Sequence, residues 1–100
     1  MTPLDLAIQQ VEPKPAAYVL GGLANGRHYT GACHDLVQRL LAHHKGKCSR
    51  TRNMRPLALV YFEYSADYAA ALKREQFLKS GSGRALWRAC LLYTSDAADE

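Results

Sequence analysis

The sequence predicts one α+β domain whose elements follow the order β-β-α-β-α-α. Its 100 residues are enough for a single hydrophobic core. Asn25-Gly26 stands between two β-prone segments, a pattern typical of a hairpin. Further along the chain, apolar residues recur with a helical period, then form one continuous run, then recur with a helical period again. No repeat or internal linker divides the chain, so we expect one compact unit.

The N-terminal third contains the predicted hairpin. Residues 1–15 hold three of the four prolines and show no sustained periodicity, so we expect an N-terminal leader with at most a short helical turn. The first strand includes Tyr18, and the returning strand covers residues 28–31. Gly21 and Gly22 are expected to weaken the first strand or to mark a bulge.

The remaining elements begin and end at recognisable residues. Asp35 is a suitable N-cap for a helix through about His44. A loop of basic residues then leads to a buried strand over residues 57–62. Ser65 or Asp67 is expected to cap a second helix that reaches Lys79. The stretch 80–83, rich in Ser and Gly, should break it before a third helix begins at Arg84.

The C-terminal stretch, residues 90–100, resembles a translated sequencing-adapter sequence, and we interpret it as a non-native tail. The domain would then cover residues 16–89. The whole chain carries 13 basic and 9 acidic residues, a formal charge of +4. Three of the acids lie in the tail, so residues 1–89 carry a formal charge of +7. We therefore expect an acidic partner.

Five of the positive charges fall within eleven residues that contain no acid. A run of this kind is typical of proteins that bind the phosphate backbone of DNA, because each neutralised phosphate releases condensed counterions. The alternative is a solvated basic loop without a partner. The predicted nucleic-acid-binding residues are Lys45, Lys47, Arg50, Arg52 and Arg55.

The sequence also indicates where in the cell the protein is expected. No apolar stretch approaches the roughly 20 residues of a membrane helix. The first five residues lack the basic start of a signal peptide, so we expect a cytoplasmic protein without a membrane partner. Its three cysteines are an odd number without CxxC spacing and do not predict a disulfide framework. The sequence indicates no particular oligomeric state.

Glu75 is the most informative single residue. A helical projection places it on the face shared by Tyr68, Ala71 and Leu78, which is expected to meet the sheet. A carboxylate there is costly unless it is paired or binds a cation. One explanation is an ion pair at the helix edge. The other is a hard oxygen ligand for Mg²⁺, which takes only one or two protein carboxylates.

Arg39 and His43 lie four residues apart and should project side by side from one helix. Arg39 offers a fork of donors that matches phosphate oxygens, and His43 could move a proton near neutral pH. Each could also be an ordinary residue of a polar helix edge. Tyr18 and Tyr29 fall on paired strands. Each could be a core residue, or a general base if a metal and an arginine lie nearby.

A rival interpretation concerns zinc. The segment contains soft and borderline metal ligands, which are Cys33, His34, His43, His44 and Cys48. The spacing contains no CxxC or HxxxH pair, and adjacent histidines diverge on a helix. A zinc-stabilised adaptor is therefore a third alternative, behind an enzyme and a nucleic-acid-binding module.

Taken in order, these motifs resemble the GIY-YIG nuclease domain, and in particular the small stand-alone bacterial proteins of that superfamily. The resemblance runs from about Tyr18 to Trp87. The matching elements are Tyr18, Asn25-Gly26, Tyr29-Thr30-Gly31, the segment from Asp35 to His43, Lys45-Gly46-Lys47, Arg55-Pro56, Lys73-Arg74-Glu75 and Leu78-Lys79-Ser80-Gly81. Ala16-Ala17 stand where the name motif has Gly-Ile, and Thr30 replaces its Ile. We find no counterpart of an Asn that several nuclease members carry.

The resemblance implies a fold and an activity. It implies a three-stranded antiparallel sheet flanked by helices, and a Mg²⁺- or Mn²⁺-dependent endonuclease that acts on DNA, with branched, flapped or damaged DNA in repair or recombination as the expected substrate. Tyr18 would activate the attacking water, helped by Tyr29 or His43. Arg39 would hold the phosphoryl oxygens, and Glu75 would hold the metal. The alternative is a non-catalytic nucleic-acid-binding module.

Overall fold

The computed structural model describes the backbone of residues 1–99 and the side chains of residues 1–90. It confirms an α+β fold with an antiparallel sheet between helices. The side chains of the predicted tail from residue 91 onward lie outside the described residues. In chain order the elements are β1 (Thr2–Pro3), α1 (Leu4–Gln10), β2 (Ala16–Gly22), β3 (His28–Cys33), α2 (Leu36–His44), α3 (Ser49–Arg52), β4 (Leu57–Tyr64), α4 (Tyr68–Lys79) and α5 (Gly81–Asp99).

The sheet has four strands in the order β1-β4-β2-β3, one more than the resemblance implies. The additional strand is the two-residue β1, in which Thr2 pairs with Leu59 of β4. It belongs to the segment predicted as a leader, residues 1–15, which continues into α1. Leu4 and Ala7, three residues apart on that helix, are both 1% exposed and belong to the core. β3 lies at the opposite edge of the sheet.

The hairpin forms as predicted. β2 and β3 pair antiparallel, and Gly26 between them has a φ of 68°, which favours glycine. The side-chain oxygen of Asn25 accepts a hydrogen bond from the Arg27 N–H at 3.0 Å. A bulge at the glycines, one of the two effects expected there, does not form. Gly21 and Gly22 pair in register with β4, and the irregularity lies one step earlier, between Val19 and Leu20.

Side chains alternate along β2 between two cores. Tyr18 and Leu20 face α1 and α2, where they pack with Leu36 and Leu40. Ala17 and Val19 face α4 and α5, where the core contains Leu78 and Trp87. Every residue of β2 is buried because helices cover both faces of the strand. Ala16 and Ala17, at the positions of the name motif, are both 0% exposed.

The helix boundaries follow the caps closely. Asp35 accepts a hydrogen bond from the Gln38 N–H at 3.1 Å, and Asp67 accepts one from the Ala70 N–H at 2.8 Å, which confirms both N-caps. The third long helix begins at Gly81 rather than at Arg84. Ser80 explains the difference, because its hydroxyl accepts a hydrogen bond from the Gly83 N–H at 3.2 Å.

The predicted basic loop is also partly helical. Four of its residues, Ser49–Arg52, form α3. Thr51 within this helix is 0% exposed, although it stands between two arginines. The segment therefore packs onto the domain rather than extending freely into solvent.

Gly31 leaves room for the ring of Tyr18. The two residues are cross-strand partners on β3 and β2. A methyl group added at Gly31 would lie 2.6 Å from the Tyr18 hydroxyl oxygen and 3.0 Å from a ring carbon of Tyr29. The glycine of the Tyr29-Thr30-Gly31 triplet is thus required by side-chain packing rather than by an unusual backbone angle.

We predict that Gly31→Ala lowers the free energy of unfolding by about 1–3 kcal/mol, because the added methyl group displaces the Tyr18 ring. Gly81→Ala is the matched control, since nothing lies within 4 Å of a methyl group there. The control should leave stability unchanged or raise it slightly. Urea unfolding of both variants measures the difference. Equal stability of the two variants would contradict the packing described for Gly31.

Candidate functional site

A buried chain of three hydrogen-bonding side chains connects β2, α2 and α3. The Tyr18 hydroxyl and His43 Nε2 share a hydrogen bond of 2.8 Å. On the other side of the ring, His43 Nδ1 and the Thr51 hydroxyl share one of 2.7 Å. All three side chains are 0% exposed. The chain fixes the orientation of the Tyr18 phenol from two helices.

The surroundings keep both titratable members of this chain neutral. Burial, and secondarily the Arg39 guanidinium, lowers the pKa of His43 to about 4. Burial is also the main reason that the pKa of Tyr18 lies far above its usual value, and Arg39 opposes that shift. A neutral imidazole has one N–H and one lone pair, and these match the two hydroxyl partners. The position of His43 corrects the prediction of a helix-edge residue, because its ring points into the core.

Tyr29 completes an aromatic cluster and is the member that reaches the surface. Its ring centroid lies 6.4 Å from that of Tyr18 and 5.5 Å from that of His43. Unlike Tyr18, it is only partly buried and lines a cleft together with Thr30 and Arg50. The two motif tyrosines are therefore brought together, but only Tyr29 is open to a ligand.

Charged groups from three helices act on Tyr29. Burial raises the pKa of its phenol, and the neighbouring Cys48 thiol and Glu75 carboxyl raise it further. The guanidinium groups of Arg50 and Arg39 lower it. Glu75 belongs to α4, Arg50 to α3 and Arg39 to α2. The electrostatic surroundings of Tyr29 thus include the arginine and the glutamate that the sequence selected.

Glu75 is mostly buried, with 18% of its side chain exposed. Its carboxylate forms an ion pair with Lys79 at 3.4 Å, one helical turn along α4. Lys79 lines the same cleft as Tyr29. The ion pair that the sequence left open as one explanation for Glu75 is therefore present, and the metal-ligand explanation stays a prediction. Its partner is four residues away on the same helix and half-exposed.

The preceding residue, Arg74, anchors α4 to the sheet. Its guanidinium donates hydrogen bonds to the Glu63 carboxylate of β4, one of them from Nη2 at 3.3 Å. Tyr61 donates a hydrogen bond to the same carboxylate at 2.7 Å. The Arg74 guanidinium is the main reason that the pKa of Glu63 lies below its usual value. Adjacent motif residues therefore have separate roles, since Arg74 fixes the helix and Glu75 pairs with Lys79, which lines the cleft.

The side chains of the five basic residues between α2 and β4 do not form one surface. Arg50 lines the cleft with Tyr29, whereas Arg52 and Arg55 line a separate cleft with His44. The Arg52 side chain donates a hydrogen bond to the Gly46 carbonyl at 2.9 Å, and Arg55 donates one to the Arg52 carbonyl at 3.1 Å. These two arginines brace the segment. Lys45 and Lys47 are exposed.

Several residues at the site escaped the sequence analysis. Thr51 is the buried partner of His43, yet a threonine between arginines looks like part of a loop. Arg84 and Arg88 lie near β3 because α5 packs against the sheet, and no local pattern reveals that. Their spacing of four residues was the one available signal, since it places both on one helix face.

Comparison with known proteins settles the family. The model of the GIY-YIG catalytic domain matches residues 14–87. The chain belongs to the GIY-YIG family. The match includes all five predicted catalytic residues of this GIY-YIG domain, from Tyr18 to Glu75. No solved structure shows a significant match to the chain.

Small bacterial proteins are similar to this GIY-YIG chain. A UPF0213 protein of Staphylococcus saprophyticus is 37% identical over 59 residues, which cover 58% of this chain and 72% of that protein. A UPF0213 protein of Bacillus pumilus is 38% identical over 58 residues, covering 57% of this chain and 59% of that protein. A third, from Lactiplantibacillus plantarum, is 40% identical over 57 residues, covering 54% and 56%.

Three of the five residues of the zinc interpretation have other partners. Both ring nitrogens of His43 are hydrogen-bonded, and the Cys33 thiol donates to the Ala16 carbonyl at 3.5 Å. The His34 ring stacks on Tyr68 with centroids 4.0 Å apart. Within the described residues, no group of three or more His, Cys, Asp or Glu side chains is arranged to hold a metal ion.

No described helix is long and apolar enough to cross a membrane.

His43 predicts how stability depends on pH. Its pKa of about 4 in the folded state is below its ordinary value of 6.5, so the unfolded chain binds the proton more tightly. The stability that this neutral histidine contributes is present above about pH 6.5 and is lost as the pH falls towards 4. We expect the loss to reach at most about 3 kcal/mol.

Urea unfolding between pH 4 and pH 7.5 measures this loss. His44, the exposed neighbour of His43, provides the control, and the His44→Gln variant should retain the wild-type pH dependence. His43→Gln should be less stable at pH 7 and should lose most of the dependence between pH 6.5 and 4. An unchanged slope in His43→Gln would show that another group is responsible.

Proposed function

We propose that this protein is a Mg²⁺- or Mn²⁺-dependent endonuclease that hydrolyses phosphodiester bonds in DNA. The observation that carries the proposal is the convergence on Tyr29. Arg50 of α3 lines the same cleft as this accessible phenol, and Arg39 of α2 and Glu75 of α4 act on it electrostatically. Hydrolysis of a phosphodiester needs a group that takes a proton from water, positive charge around the phosphoryl oxygens, and stabilisation of the leaving 3′ oxygen.

Tyr29 is the residue that we assign to the attacking water. It lines the cleft, whereas the Tyr18 hydroxyl is fully buried and bonded to His43. The phenolate form of Tyr29 is disfavoured by burial and by the Glu75 charge, and favoured by Arg50 and Arg39. Glu75 would hold the cation, whose charge would offset the effect of this carboxylate on the Tyr29 pKa.

Tyr18 and His43 act as positioning residues in this proposal. Their rings pack against that of Tyr29, and their own hydrogen bonds fix their orientation. This differs from the role implied by the resemblance, in which Tyr18 activates the water. Its full burial supports the reassignment, because a general base must come within hydrogen-bond reach of the water that it deprotonates.

Arg39 and Arg50 are the candidates for stabilising charge on the phosphoryl group. Both act electrostatically on Tyr29. Arg50 lines the cleft of Tyr29, whereas Arg39 lines a separate cleft with Cys33 and His34. A guanidinium stays protonated at all relevant pH values and can donate two hydrogen bonds to phosphate oxygens. Its contribution grows as negative charge develops in the transition state.

Glu75 fits the requirements of a magnesium ligand. It offers a hard oxygen beside the cleft, and its partner Lys79 is half-exposed and can turn to solvent. One protein carboxylate is enough for Mg²⁺ when water and phosphate oxygens complete the coordination. When bound, the metal supplies Lewis-acid stabilisation of the phosphate and of the leaving oxygen. The residues present are therefore compatible with the cofactor.

The substrate that we propose is branched, flapped or damaged DNA in repair or recombination, in the cytoplasm. The described domain offers one cleft system beside Tyr29 and is small, so recognition of DNA shape suits it better than recognition of a long sequence. The alternative function, a module that binds nucleic acid without cutting it, would need the basic residues but not Glu75.

We predict that Glu75→Gln lowers the cleavage rate at least about 100-fold while DNA binding persists, because the metal loses its protein ligand. Nicking of supercoiled plasmid and cutting of a flapped duplex, each with and without Mg²⁺, measure the effect. Glu12→Gln is the control, since it removes an equally charged but exposed carboxylate. Circular dichroism of each variant establishes that the fold is intact.

Two results would decide against the proposal. Cleavage by Glu75→Gln at the wild-type rate would remove Glu75 from the site. Binding of DNA by the wild-type chain without cleavage in Mg²⁺ or Mn²⁺ would favour the binding module.

A further inference from the structure

Two adjoining clefts lie beside the edge strand β3. The first has a volume of about 260 Å³ and includes Tyr29, Arg50 and Lys79. The second has a volume of about 240 Å³ and includes Trp87 and Arg88. Both are lined by the same three residues, His28, Thr30 and Arg84. The clefts therefore form one continuous depression from Tyr29 to α5, which we call the edge groove.

The edge groove is positively charged. Its cations are Lys79 and three arginines from α3 and α5, which are Arg50, Arg84 and Arg88, and all four are exposed. Among the described residues, no Asp or Glu lines either cleft. The acid Glu75 lies at the Tyr29 end, paired with Lys79. A surface of this charge suits a polyanion.

Arg84 and Arg88 are spaced to contact consecutive negative charges. Four residues of an α-helix rise about 6 Å, which is comparable with the separation of neighbouring phosphates along one DNA strand. Both side chains project from the same face of α5. His28 adds a ring that packs against Trp87 with centroids 4.9 Å apart and borders the groove. An aromatic ring beside cations is a common feature of surfaces that follow a nucleic-acid strand.

The basic run in the sequence is a poorer path for the strand. Arg52 and Arg55 donate hydrogen bonds to backbone carbonyls and line a different cleft. Lys45 and Lys47 line neither cleft of the edge groove. Only Arg50 of this run borders the groove.

We propose that the edge groove holds the backbone of the DNA strand that is cut, and that Arg84 and Arg88 bind the phosphates next to the scissile one. The inference rests on the proposed nuclease function and assigns its substrate path. It places the main phosphate contacts at the start of α5 rather than in the segment between α2 and α3.

The test measures DNA binding under conditions that prevent metal-dependent cleavage. A fluorescently labelled flapped duplex is titrated in EDTA at several NaCl concentrations, and the slope of log K against log salt is compared between two double variants. Arg84→Gln with Arg88→Gln should reduce the magnitude of the slope by about 2, because each lost phosphate contact removes roughly 0.9. Lys45→Gln with Lys47→Gln removes the same charge and should leave the slope near the wild-type value.

Circular dichroism establishes that both variants are folded. Lys73→Gln is a further control, because it removes an exposed positive charge of α4 that lines neither cleft of the edge groove. A reduction confined to the Lys45 and Lys47 variant, or equal in the two variants, overturns the groove assignment.

Cleavage assays on the same proteins separate the two proposals. In one outcome the wild-type chain cleaves DNA in a Glu75-dependent manner, but the Arg84 and Arg88 variant has the wild-type slope. That outcome rejects the edge groove as the DNA path and leaves the nuclease proposal standing. A reduced slope in that variant, with no cleavage by the wild-type chain, keeps the groove as a nucleic-acid-binding surface and rejects the nuclease.

Discussion

The hydrogen bond between the Tyr18 hydroxyl and His43 is the interaction on which the surrounding structure depends. A buried hydroxyl without a partner costs about 1–3 kcal/mol, and Tyr18 is fully buried. His43 provides that partner, and its own second nitrogen is in turn bonded to Thr51. The requirement thus extends from β2 through α2 to α3. Gly31 completes the arrangement by leaving space for the Tyr18 ring.

This constraint gives the two motif tyrosines different positions. Tyr18 is held inside the domain, where it cannot meet a substrate. Tyr29 packs on the outer side of the same cluster and is accessible in the edge groove. A reactive phenol needs a fixed position, and packing against two immobilised rings provides one. The buried chain therefore stabilises the fold and also orients the residue that we assign to catalysis.

Much of the fold could be predicted because its signals are local. Asn25-Gly26 marks the hairpin, and Asp35 and Asp67 cap their helices through bonds to residues three positions away. The two-residue strand β1 could not be predicted, because its pairing with β4 depends on packing of α1 over the sheet. The start of α5 at Gly81 depends on a capping bond from Ser80 that the glycines obscured.

The same distinction between local sequence signals and long-range packing applies to the candidate site. The motif order selected Tyr18, Tyr29, Arg39, His43 and Glu75, and the structure places them around one aromatic cluster or in its electrostatic surroundings. The burial of His43 was missed, because a helical projection puts it at the margin of the apolar arc. Its partner, Thr51, belongs to a segment whose charge suggests exposure. Long-range packing also brings Arg84 and Arg88 to β3, and no spacing within α5 indicates which strand they would meet.

The most direct test of the account is a crystal structure of the wild-type chain with a short flapped duplex and Ca²⁺ in place of Mg²⁺. The account predicts one phosphate within contact distance of Tyr29 and Arg39, a cation on Glu75, and the next phosphates beside Arg84 and Arg88. DNA bound along Arg52 and Arg55, with Tyr29 facing only solvent, would contradict it.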